Sequence, residues 1–422
     1  MIGFVNRPGS IPWWRRPARN RLLDLGLGTL ALVCVVRIVL ELPTRVFDFD
    51  FNHSYVSSRL LLEGKNPYTI SLEPLSTKLG FAYSEKTPTA TNPPGLLWLF
   101  LPLALLTPRV AFIVWVGVQF LSLVAILWLI RLSLRGTLSV RGWRLVCFAT
   151  LISEAVYWNF HFSHVELPLA AAVIGGYVLQ QRGKHAAACL VVAAAGLLKL
   201  YPWFLLPWFL WRGGGSIVAK AQRTAAIAVF VLAGILATRL ELWRSFLTDG
   251  MRLIHTWSVG HTFNFSLPSF VMNLGYARHE FSPSSEQARC LWLAGIVVAG
   301  AVACFTYLCC RRPRDSDIEF SLLCAAMVAA SVTAWGYYFV FLIFPVTVAA
   351  LRLAEKPSGC SIAIFGLMLF ALNNLSAWQT RFLNEHIYLL VLAHYLPLYG
   401  LIGLIGFLVY RLRAGSSSPH SS

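Results

Sequence analysis

The chain has 422 residues, 57% of them hydrophobic and 13% charged, with a mean hydropathy of +0.65. Soluble domains carry about 25% charged residues, so the composition excludes a soluble enzyme and indicates an all-α polytopic membrane protein. The net charge of +17 does not indicate a nucleic-acid partner, because Lys and Arg sit in short clusters between apolar runs, the pattern that sets membrane topology.

Residues 1–20 are basic and aromatic, with Trp13, Trp14, Arg15 and Arg16, and are expected on the cytoplasmic surface. They lack a small-residue cleavage site, so the first span, 21–42, reads as an uncleaved anchor. It delivers Asp48 and Asp50 to the outer face. Beyond them Phe51, Tyr55 and Leu62 share one face at helical spacing, Gly64 can close a helix, and Asn66-Pro67 forces a turn. The spacing predicts a short amphipathic helix lying in the interface, entered through an acidic segment. The outer loop, 43–109, ends in Asn92-Pro93-Pro94-Gly95 and an apolar run to Pro108. That run is about 14 residues where about 20 are needed to span. The next span, 110–130, leads to a short loop bearing Arg131, Arg135, Arg141 and Arg144, which should be cytoplasmic. Residues 94–108 therefore stay outside, as a second interfacial or re-entrant helix.

Further spans are expected at 142–160, 165–181, 185–199, 202–211, 222–239, 290–310, 318–335, 337–353, 359–376 and 387–410. The segment 202–211 is short and contains Pro207, so a broken or tilted helix is expected there. The total is about twelve spans in one domain, 21–411, with outer loops at 43–109 and 240–289 and both termini inside. The tail, 412–422, is expected to be disordered from its Gly/Ser-rich part onward. The nine cysteines fall mostly in or near spans, and no structural disulfide or metal cluster is expected.

In this topology the unusual polar residues converge on the outer face. They are Asp48 and Asp50, the turn His161-Phe-Ser-His164-Val-Glu166, Lys199 and Tyr201 at another turn, and Trp335, Tyr337 and Tyr338 at a span end. A loop bearing His255, His261, Asn264 and Asn273 joins them. Polar groups at membrane depth are costly and usually mark function. Each also fits a plainer role. Lys199 can snorkel from a span end, His164 and Glu166 can open a helix, and the three aromatics can form an interfacial belt. His-x-Glu is a weak metal signal, since alternate residues point to different sides of a helix; no metal or other cofactor is expected. Arg37 and Glu41, one turn apart, read as a local ion pair.

Together these stretches resemble polyprenol-phosphate-sugar-dependent glycosyltransferases of the GT-C superfamily, and within it glycosyltransferase family 87, which includes a mannosyltransferase that extends phosphatidylinositol mannosides. Three pieces carry the resemblance. They are Asp50-Phe-x-x-x-Tyr55 continuing through Leu62-x-Gly64-x-Asn-Pro67-Tyr68, then Asn92-Pro93-Pro94 through Leu106-Thr-Pro108 to Trp115, then Leu197-Leu-Lys199-Leu-Tyr201-Pro202. Asn264-x-Ser266-Leu267 and Ser331-x-x-x-Trp335 are weaker marks. The chain departs from the family where Ser163-His-Val-Glu166 replaces a Gly-Gln-x-Asn-like segment, and where Tyr337 and Tyr338 stand near a usual histidine.

The resemblance implies transfer of a hexose, mannose by analogy, from a polyprenyl-phosphate donor to a glycolipid or other cell-envelope glycan acceptor. The setting it implies is the outer face of a bacterial plasma membrane, with inversion at the anomeric carbon. A lipid phosphate is a good leaving group, so the main need is a base for the acceptor hydroxyl. Asp50, fourteen residues before Gly64, occupies the position of the family's acid, with Asp48 as the alternative. A carboxylate there also stabilises positive charge developing on the sugar ring. Lys199 suits the departing phosphate, and His164, Glu166, Tyr201, Trp335, Tyr337 and Tyr338 suit sugar contacts. Membrane lipids would surround the whole, and a groove would hold the polyprenyl tail. The rival readings are a secondary transporter or lipid flippase, which would need paired broken helices at the midplane, and a non-catalytic assembly partner.

Overall fold

The computed structural model describes residues 17–45, 49–81, 83, 87–254, 263–275, 286–311, 315–355, 357–374 and 394–414. Helix α1 (Pro17–Glu41) runs into a 3-10 turn at Leu42–Arg45, followed by α2 (Phe49–Leu62), α3 (Glu73–Lys78) and α4 (Pro94–Ala104). Next come α5 (Pro108–Ser133), α6 (Val140–Ile152), α7 (Glu154–Phe162), α8 (Glu166–Gln181) and α9 (His185–Leu198). A 3-10 turn, Tyr201–Leu205, leads to α10 (Leu206–Arg212) and α11 (Ile217–Ala237). Then α12 (Leu240–Ser245), a π turn at Phe246–Gly250 and α13 (Met251–Leu253) precede α14 (Leu267–Gly275). The chain continues through α15 (Glu286–Cys309), α16 (Ser316–Ala330), a 3-10 stretch Gly336–Leu342, α17 (Ile343–Glu355), α18 (Gly359–Leu372) and α19 (Leu396–Ala414).

This is an all-α polytopic membrane protein. Six described helical stretches are each long and apolar enough to cross a bilayer: Arg21–Arg45, Pro108–Ser133, Ile217–Ala237, Trp292–Cys309, Gly336–Glu355 and Leu396–Arg413. The other six expected crossings are shorter or broken. The span expected over 142–160 is two helices, α6 and α7, divided at Ser153, whose backbone is extended. Its carbonyl accepts from the amides of Val156 and Tyr157, so it starts α7, with Glu154 placed where a helix N-terminus favours an acid. The segment 202–211 is broken as expected, into the 3-10 turn and α10.

Two of the shorter helices lie in the centre. Helix α8 packs between α5 and α9, and α16 packs against α15, α17 and α19. From Ile318 to Ala329 every residue of α16 is buried. Small residues permit the close approach of α8 and α9: a Cβ on Gly176 would lie 3.0 Å from Val192 and 3.3 Å from the Ala188 carbonyl. By contrast α1 and α11 turn exposed apolar faces outward, including Leu32, Val36, Val229 and Leu236, as helices bordering lipid do.

Helix α2 forms where expected and ends near Gly64, whose φ is +73°. It does not lie open in an interface. Phe51, Tyr55 and Leu60 are buried, but so are Asn52, Ser54, Ser57 and Ser58, while Leu62 is exposed. The reason is α4, which packs along it. Ser58 donates to the Leu97 carbonyl at 2.8 Å, Arg59 to Ala104 at 2.5 Å, and Tyr55 to Leu106 at 2.6 Å. The polar side of α2 thus donates to α4 near its start, at Leu97, and to Ala104 and Leu106 at and just past its end, where carbonyls lack helical partners.

Candidate active site

A cavity of about 730 Å³ opens between α2, the turn after α9, the turn before α8 and the 331–338 segment. One part of its lining is polar, with Asp50, His53, Asn92, His164 and Lys199. Most of the rest is apolar, including Phe204, Phe246, Met251, Ile254 and Phe265.

Asp50 occupies the first turn of α2, and His53 follows one turn on, so both side chains leave one face of the helix. His53 Nε2 lies 3.1 Å from the Thr89 carbonyl. Burial pushes its pKa down to about 4, and the Lys199 cation adds to this.

Lys199 ends α9 in an extended conformation, which turns its side chain out of the helix register and into the cavity. Its ammonium donates to Asn92 Oδ1 at 2.8 Å, and Asn92 Nδ2 donates to Ser54 Oγ at 3.2 Å. Burial lowers the Lys199 pKa to about 8, with the Asp50 carboxylate opposing the fall. This contact explains the residue after Asn92-Pro93-Pro94. A Cβ on Gly95 would stand 2.4 Å from the Leu197 carbonyl, so only glycine lets α4 come close enough for Asn92 to meet Lys199.

The turn before α8 is held from three sides. Ser163 is left-handed at φ 52°. Trp115 Nε1 donates to its carbonyl at 2.7 Å, and Gln119 Nε2 donates to the His164 carbonyl at 2.7 Å. Asn159 Nδ2 donates to the Tyr337 carbonyl at 2.8 Å, joining α7 to the opposite wall. His164 bonds through Nδ1 to the fully buried Glu166 carboxylate, and Tyr201 donates to the other oxygen of Glu166 at 3.4 Å. The sequence suggests that His-x-Glu side chains diverge. They meet because His164 precedes α8, so helical geometry does not separate them.

The far wall is the irregular stretch after α16. Asn264 pins it: its Oδ1 accepts from the Ala334 amide at 2.7 Å, and its Nδ2 donates to the Val332 carbonyl at 3.1 Å. Tyr337 then stacks on His164 with centroids 3.9 Å apart, Trp335 lies parallel to Tyr337 at 6.4 Å, and Tyr338 meets Tyr201 at 4.9 Å.

The structure therefore brings Asp50, His164, Lys199, Tyr201, Trp335, Tyr337 and Tyr338 to one cavity, with Glu166 just behind its wall. Asp48, His255 and His261 lie outside the described residues. His161 sits apart, bonded to Tyr157 at 3.0 Å, and Asn273 bonds to Tyr395 at 2.8 Å. Arg37 and Glu41 pair at 2.9 Å, but Tyr157 also donates to Glu41 at 2.7 Å, so the pair belongs to a larger cluster. The sequence reading missed His53, Gln119 and Asn159. Gln119 carries a legible signal, a buried amide inside an apolar span.

A family model for glycosyltransferase family 87 matches residues 90–345, more than half of the 422-residue chain. No curated protein matches.

Proposed function

The chain belongs to glycosyltransferase family 87, and from that premise we propose that it transfers a hexose, mannose by analogy, from a polyprenyl-phosphate donor to a lipid-linked or cell-envelope glycan. The site would face the periplasmic or extracellular side of a bacterial plasma membrane. The carrying observation is that the Asp50 carboxylate and the Lys199 ammonium line one cavity whose remaining lining is mostly apolar.

That arrangement fits a donor with a charged head and an apolar tail. The acceptor hydroxyl gives its proton to the Asp50 carboxylate as its oxygen attacks the anomeric carbon. The bond from that carbon to the phosphate oxygen breaks, and its electron pair leaves with the polyprenyl phosphate. Lys199 offsets the charge growing on that phosphate, and buried surroundings strengthen the effect. Tyr201, Trp335, Tyr337 and Tyr338 offer ring faces and hydroxyls to the sugar. Glu166 holds His164 in place behind them.

The test uses purified protein in lipid with radiolabelled polyprenyl-phosphate hexoses and a membrane extract as acceptor source. Label moving from donor to a new glycolipid or glycan supports the reading. Donor that crosses a liposome bilayer unchanged, with no product formed, supports the flippase reading instead.

A further inference from the structure

His53 faces the cavity one turn from Asp50 and takes no part in the transfer steps. A backbone carbonyl only accepts hydrogen bonds, so the nitrogen facing Thr89, Nε2, carries the proton. The neutral ring then holds a lone pair on Nδ1. Among the described residues Nδ1 has no hydrogen-bond partner, and the ring lines the cavity. Lys199, nearby, disfavours a second proton on the ring. The first turns of α2 thus present two acceptors, the Asp50 carboxylate and an imidazole lone pair. Positions three apart on a helix place their Cβ atoms about 5–6 Å apart. Two neighbouring hydroxyls of one sugar ring can each donate to groups spaced in that way.

We propose that His53 is a specificity-determining residue: its Nδ1 accepts a hydrogen bond from the acceptor hydroxyl adjacent to the one that Asp50 deprotonates. The inference rests on the glycosyl-transfer reading and narrows it. The acceptor is a ring bearing neighbouring hydroxyls, and an isolated alcohol satisfies only half of the site. A site built around a substrate hydroxyl discriminates strongly against analogues that lack it.

Two substitutions separate this role from simple support of the 87–93 segment. His53→Asn keeps an acceptor oxygen near the Nδ1 position and loses the reach to Thr89. His53→Gln keeps a donor for Thr89 and loses the acceptor at Nδ1. Each is assayed as full chain in lipid nanodiscs, with the polyprenyl-phosphate hexose that proves active above and octyl α-mannoside with its monodeoxy forms as acceptors. The expected result is an acceptor KM raised about tenfold or more in His53→Gln and within about threefold of the parent in His53→Asn, with donor KM unchanged in both. His53→Gln should also become indifferent to one particular deoxy change beside the reacting hydroxyl. Impairment of His53→Asn with a normal His53→Gln overturns the proposal, leaving His53 as a tether. So does a His53→Gln loss that multiplies with every deoxy change. If the parent transfers to membrane extract but to none of these sugars, the acceptor class named here is wrong while glycosyl transfer stands. If the parent transfers to nothing, the underlying reading fails first.

Discussion

Among the described residues two clusters of charged groups are built differently, one around α10 and α16 and one at the cavity. Around α10 and α16, Arg212 pairs with the fully buried Glu319, and Trp208 donates to the same carboxylate at 3.2 Å. At nearby helix ends Arg352 pairs with Asp315 and Glu355, Arg411 pairs with the exposed Glu355, and Tyr177 donates to Asp317 at 2.5 Å. There, cation meets acid directly and links helices distant in sequence. At the cavity the Lys199 ammonium donates instead to a neutral amide, and a depressed pKa marks the cost of holding it there. Charges that close on one another hold helices together, whereas the Lys199 ammonium, held by a neutral amide at the edge of a space, can meet the charge of a substrate.

The sharpest way to break this distinction is to damage the closed part. Glu319→Leu takes the buried carboxylate from Arg212, which keeps the Cys310 carbonyl at 3.2 Å, and should cost about 3 kcal/mol of stability, read as a lowered melting temperature in detergent. Replacing both partners, Arg212→Met with Glu319→Leu, should recover most of that. Transfer per folded molecule should stay near the parent value in the double variant. A large activity loss in a stably folded double variant would place chemistry where only support is assigned.

At the cavity the expected pattern is reversed. Lys199→Met should fold and lose about 1.5–3 kcal/mol of donor binding, roughly tenfold to 150-fold in donor kcat/KM. The pH dependence has a definite sign. The cation is present below pH about 8 and is lost above it, so the donor kcat/KM profile should fall as pH rises through about 8. Lys199→Arg keeps its charge and should carry that limb upward. An unmoved limb would assign it to another group.

The smallest effect is expected at Arg37, more than half exposed and paired with Glu41. Arg37→Ala should change stability by about 1 kcal/mol or less and leave transfer unaffected, by melting and by the same assay.

Much of the site was legible in sequence because isolated polar residues at the ends of apolar spans stand out. Asp50, Lys199 and Tyr201 are of that kind, and Asn92-Pro93-Pro94 carried part of the family resemblance. What stayed hidden depends on side chains crossing between elements. Nothing local shows that Asn264 pins residues 332–334, or that Asn159 reaches Tyr337. The break at Ser153 was missed because an apolar run reads the same whether or not one residue within it is extended. The burial of α2 was hidden because its serines look solvent-facing until α4 packs along them and supplies a carbonyl for Ser58. His53 was passed over inside a helix read for its apolar stripe, although its spacing from Asp50 was already visible.

In the proposed mechanism Asp50 acts in the chemical step and not in holding the donor. The direct measurement is a paired one on Asp50→Asn in lipid nanodiscs: donor Kd, and single-turnover transfer from preloaded donor. Donor Kd should stay within about threefold of the parent and the transfer rate should fall by about 10²–10⁴-fold. Transfer at the parent rate would contradict that mechanism, and so would a loss explained wholly by failure to bind donor.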